Sequence, residues 1–166
     1  PVYVRLTQNE LTGEHTCVML RLLKKSTNVT KDWLQSFYDD FQKRIVSLLS
    51  YDFREFAPAL ALSLLDFEMV QEQNLQGRSI TLSELESAVS NFDMKRLESY
   101  SKNLVDYHVI LDLLPLISRY FFLKKMPFNL SYAQAAILCG VGLQHKRIEV
   151  VGKEINLESN QVLALF

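Results

Sequence analysis

Near residue 30 the hydrophobic period of the chain changes, and no other feature limits the fold as strongly. Before it, PVYVRL alternates and is rich in Val and Tyr, as strands are, and HTCVMLRLL is expected as a second strand. The polar segment TQNELTGE joins them, with Gly13 free to take a positive φ. A two-stranded hairpin is marginal alone in water, and no third convincing strand follows, so the hairpin is expected to be the end of a larger sheet. After residue 30 the spacing is helical. The expected fold is therefore mainly α, a helical domain over 26–166 preceded by a β-hairpin over 1–25.

Trp33, Phe37, Phe41, Ile45 and Leu48 form an apolar stripe, with Asp32 as the expected N-cap. A second helix is expected from Pro58 to about Val70, then a polar loop over 71–80. Thr81 and Glu84 make a capping box, as do Ser131 and Gln134. Between them, Asp93 is expected to cap a long helix carrying Leu97, Tyr100, Leu104, His108, Leu111 and Leu114, broken at Pro115. Pro127 should end the helix that follows. His108, on this apolar face, is expected in the core.

The 166 residues are 48% hydrophobic, enough for one real core, and the net charge of −1 gives no global field for nucleic acid. Any such partner must be held by a local patch. Cys17 and Cys139 lie among apolar residues and are expected to be buried, reduced thiols. No apolar run reaches the roughly 18 residues of a membrane span, and an intracellular site would leave the Asn28 sequon unused. With Pro1 already in a strand and no leader, the chain is expected to be an excised piece of something longer.

Three segments carry candidate chemistry. Lys95, Ser99 and Lys102 share a helical face with Arg96 and Asn103 beside them, a composition suited to phosphates, although a solvated face with Glu98 pairing locally explains it too. Lys43 and Arg44 repeat the signal on the first long helix. Residues 145–166 have helix-turn-helix patterning: Ile148, Val151 and Ile155 inward, Asn156 at the turn, and Ser159 capping a helix with Val162, Leu163 and Phe166. An ordinary helical hairpin is the commoner explanation, and the second helix lacks cations. His145, Lys146 and Arg147, at the start of the first, can meet a phosphate. His15 and Cys17 share a strand face, but without CxxC or HxxxH they do not make a metal site. No phosphate loop, GxGxxG or G-x-S-x-G is present.

The segments VYVRLTQNELTGEHTCVML, LLSYDF, FDMKRLESYSKNLVDYHVILDLLP and AILCGVGLQHKRIEVVGKEINLESNQVLALF resemble, in this order, the RNA cytidine acetyltransferases, and their eukaryotic members more than the bacterial tRNA(Met) enzymes. The resemblance implies large proteins with a helicase-like ATPase, a GNAT-type acetyltransferase domain and a helical RNA-binding domain. It implies acetyl-CoA and ATP as cofactors, both bound upstream, so that this piece holds no catalytic or cofactor residue and is inactive alone. It makes 1–25 the last strands of the GNAT sheet, with Asn9, Glu14 and His15 on the acceptor side. The implied partners are tRNA, small-subunit rRNA, the upstream GNAT and helicase-like domains and a possible second copy, with no membrane, in the nucleus and nucleolus. RNA would be gripped by Lys43, Arg44, Lys95, Arg96, Ser99, Lys102, Asn103, Lys146 and Arg147. A scaffold without RNA contact and a helix-turn-helix DNA binder are the alternatives.

Overall fold

A computed structural model describes residues 3–5, 7–19, 29–65, 79–126 and 128–166; of 3, 4 and 29–35 it describes the backbone only. The fold is mainly α, as its periodicity predicts. Strands β1 (Tyr3–Val4) and β2 (Cys17–Val18) pair antiparallel, Tyr3 with Val18 and Val4 with Cys17. Asn9 shapes the connection: its side-chain oxygen accepts from Leu11 N–H at 2.9 Å and its carbonyl from Gly13 N–H at 2.8 Å. Gly13 takes the expected positive φ, 69°. Cys17 is exposed rather than buried, in a sheet of two short strands among the described residues.

Helix α1 (Val29–Leu48) leads into a turn over 49–57 and α2 (Pro58–Leu65). Asp32 is inside α1 rather than its cap. The buried side chains Tyr38, Phe41, Ile45, Val46 and Leu49 follow a true 3.6 period, whereas a stripe read in steps of four drifts by about 40° per step. Phe37 is exposed for that reason. The rest of the expected second helix and most of the expected loop, 66–78, lie outside the described residues, as does Pro127.

Helices α3 (Leu82–Ala88) and α4 (Asn91–Ser101) follow. The Thr81 capping box is present as expected. Ser90, not Asp93, caps α4; Asp93 is its reciprocal partner one turn in. The long helix expected from Asp93 ends at Ser101. Asn103 adopts φ 54°, and the chain resumes as a 3₁₀ helix (Tyr107–Leu113) and α5 (Leu114–Phe122), with Pro115 harmless in the first turn. The break shifts the helical phase, so Leu104, Leu111 and His108 are exposed instead of buried. His108 Nδ1 bonds Asp106, the N-cap of the 3₁₀ helix.

The last part is α6 (Tyr132–Ile137), a π-helical turn (Leu138–Leu143), α7 (Ile148–Ile155) and α8 (Ser159–Leu165). Ser131 and Gln134 form the expected capping box. Asn156 makes the expected left-handed turn at φ 57°, but Glu158 rather than Ser159 caps α8. Two hydrophobic clusters result. One joins α1, α2 and α6 through Phe41, Ile45, Leu65 and Ala136. The other joins the 3₁₀ helix, α7 and α8 through Ile110, Val151 and Val162.

Candidate nucleic-acid interface

The candidate cations separate into those the fold uses and those it leaves outward. Arg96 is used. It donates to both oxygens of Asp112 at 2.8 and 2.9 Å, to Asp93 and to the Val109 carbonyl at 2.9 Å. These contacts pin α4 to the 3₁₀ helix, and they raise the guanidinium further while lowering both carboxyls, Asp93 to about 2. Ser90's hydroxyl and amide add to the shift on Asp93.

Lys146 is used as well. It is buried, and its ammonium bonds both Glu154 oxygens at 2.7 and 2.9 Å and the Phe56 carbonyl at 2.8 Å. The helix expected to begin at His145 begins at Ile148, so 145–147 run before it and alternate: His145 and Arg147 outward, Lys146 inward. The three are not one basic face.

On α4, Lys95 lies 5.9 Å from the Phe92 ring centre, and Lys102 bonds Glu98 at 2.6 Å. Both Lys102 and Glu98 are about 60% exposed, so that pair contributes little and exchanges readily for a phosphate. Ser99 is half-buried, and Asn103 is exposed at the helix end. The α4 cations and those of α1 belong to different parts of the domain, since α4 packs chiefly on the 3₁₀ helix and α1 on α2.

On α1, Lys43 and Arg44 are exposed. Arg119 of α5 reaches them: it donates to Ser47 Oγ at 3.3 Å, and that hydroxyl donates to the Lys43 carbonyl at 3.2 Å. The Arg119 guanidinium and the Lys43 backbone thus meet at one serine, which brings α5 to the α1 turn that carries Lys43 and Arg44. Asp39 and Asp40, one turn earlier on α1, moderate their field. Arg119 carries no local signal, because it meets Ser47 only through packing across 72 residues.

The turn over 49–57 meets the hairpin. His15 packs edge-on to Phe53 and Phe56, with ring centres 5.0 and 5.6 Å apart, and its Nδ1 contacts the Arg5 carbonyl at 3.2 Å. Phe53 and Phe56 stack at 4.7 Å. Buried Gln144 fixes the same turn by donating to the Phe53 carbonyl at 3.3 Å and the Phe56 carbonyl at 2.7 Å. Arg54 lies between the two rings in sequence, is exposed, and donates to the His145 carbonyl at 3.2 Å. Of the other hairpin candidates, Asn9 is occupied in shaping the turn, and Glu14 is exposed.

On α8 the exposed side chains Asn160, Gln161 and Leu163 offer no positive charge for a groove. Among the described residues no His, Cys, Asp and Glu cluster could hold a metal ion, and no helix is long and apolar enough to cross a membrane.

A helical body with outward cations, fronted by a two-stranded hairpin that rests on it through His15, is the class of fold that the described residues define. Residues 33–166 match the family described as a possible tRNA binding domain, and residues 1–24 match GNAT acetyltransferase 2. The chain is 49% identical to an RNA cytidine acetyltransferase of Dictyostelium discoideum and 45% identical to those of Mus musculus and Homo sapiens, each over the whole chain. It spans 16–17% of the length of these relatives. The chain belongs to the family described as a possible tRNA binding domain.

Proposed function

We propose that the helical domain holds RNA by its backbone beside the acceptor side of an acetyltransferase, in a protein that transfers acetyl from acetyl-CoA to cytidine. The contact of His15 with Phe53 and Phe56 carries this reading. It ties the segment matching the acetyltransferase to the segment matching the tRNA binding domain, so that RNA gripped by the second lies against the first. Phosphate contacts orient a strand without reading its sequence, which leaves the choice of cytidine to the active site and to RNA shape. In the same reading the whole protein also uses ATP, acts on tRNA and small-subunit rRNA, and works in the nucleolus.

The full-length protein carrying Lys43→Glu, Arg44→Glu and Arg119→Glu tests the grip. RNA affinity should fall, and the slope of log K against log salt should drop by about 2, as expected when two to three phosphate contacts are lost. Unchanged affinity, slope and acetylation would remove the RNA-holding role of this domain.

A further inference from the structure

The junction between hairpin and helical domain has a second layer, outside the aromatic one. Arg54 and His145 are joined by the 3.2 Å hydrogen bond from guanidinium to carbonyl, although 91 residues separate them. Arg147 follows two residues on, outward like His145, because Lys146 between them is anchored inward to Glu154 and Phe56. Phe53 and Phe56, which bracket Arg54, are the residues that His15 of the hairpin rests on. Arg54 and the exposed 145–147 segment, which carries Arg147, are thus brought together beside the turn that the hairpin rests on.

Arg54 spends part of one guanidinium nitrogen on His145, and an arginine has five N–H donors, so it keeps donors for a second acceptor. Arg147 is the N-cap residue of α7, and its side chain caps no amide. Asp52 and Glu55 share the turn and oppose an anion, so one arginine would be a weak site and two are needed. The supports beneath are rigid: Gln144 and Lys146 hold the Phe53 and Phe56 carbonyls from below. A guanidinium on a fixed backbone suits the fork geometry of a phosphodiester, and a second one from the adjoining segment adds to the charge.

We propose that Arg54 and Arg147, with His145, form a phosphate-binding site that positions the RNA strand where it passes from the helical domain to the acetyltransferase hairpin. The inference rests on the RNA-holding reading above and adds the place where the strand crosses. These are positioning residues, because they act through the strand they hold and not on the reacting amine.

The test uses the full-length enzyme with a tRNA substrate. Arg54→Gln with Arg147→Gln should raise KM for RNA about tenfold, leave KM for acetyl-CoA unchanged, and lower the salt slope of RNA binding by about 1 to 2. Arg54→Lys with Arg147→Lys keeps the charge but not the fork, so it should recover the salt slope while KM for RNA stays raised. If the glutamine pair leaves RNA KM and slope unchanged, the inference is wrong. It is also wrong if the lysine pair leaves the salt slope as low as the glutamine pair does, since charge at these two positions would then not be what meets the RNA. The α1–α5 variant run in parallel separates the two readings. A loss there with an intact junction variant removes only this site, and no loss in either removes the RNA-holding role as well.

Discussion

Ser118 and Gly142 occupy nearly the same space: a Cβ built on Gly142 would lie 1.8 Å from the Ser118 hydroxyl. Ser118 is fully buried and donates to the Leu138 carbonyl at 3.1 Å, so it cannot move aside without breaking that bond. The Leu114 carbonyl, 3.0 Å from the same Cβ position, closes the other side. The wide π-helical turn thus brings its backbone against α5, and only glycine fits there. Gly142→Ala should destabilise the domain by about 2–3 kcal/mol, the cost of overpacking a full core. Adding Ser118→Gly should restore part of the loss. Thermal melts of the single and double variants check both outcomes.

Lys146→Met should lower the melting temperature without touching RNA binding. The variant leaves the Phe56 carbonyl and Glu154 without their cation, and removing one partner of a largely buried pair costs about 3 kcal/mol. The salt slope of RNA binding should stay at the wild-type value. A fall in the slope would return Lys146 to the set of RNA ligands.

Acid should loosen the α3–α4 region late. Asp93 is held to about 2 by Arg96 and Ser90, and Glu84 to about 2 by the Thr81 amide and Lys125. Both values are depressed on folding, so the stabilisation is complete above the ordinary carboxyl range and lost as pH falls towards about 2. Amide protection factors in α3 and α4, corrected for the intrinsic exchange rate, should therefore hold at pH 5 and fall between about 4 and 2. Asp93→Asn with Glu84→Gln should flatten that dependence.

The two thiols should differ in reactivity. Cys139 is buried and its thiol is pushed up to about 12, whereas Cys17 is exposed. A disulfide reagent at pH 8 should titrate one of these thiols quickly in the native protein, and both after unfolding. Rapid reaction of both in the native state would contradict the packing around Cys139.

What could be read from the residues in advance depended on the range of the interaction. The Thr81–Glu84 and Ser131–Gln134 boxes close over three residues, so spacing alone reveals them. Asn156 is likewise local, since few residues other than glycine accept a left-handed φ. The fates of Arg96 and Lys146 were not legible. Their partners Asp112 and Phe56 lie 16 and 90 residues away, and only the folded chain shows that these cations are already satisfied. Arg54 and Arg119 gained significance by the same route in reverse. Each became part of a candidate site only when packing brought it to a distant element, Arg54 to His145 and Arg119 to Ser47.

The inward Lys146 also sets a rule for loop length. It is anchored to Glu154 on one side and Phe56 on the other, so it fixes which neighbours face solvent. Inserting or deleting one residue between Gln144 and Lys146 would hand the buried socket to His145 or Arg147 and turn the lysine outward. The triplet over 145–147 has to keep its count.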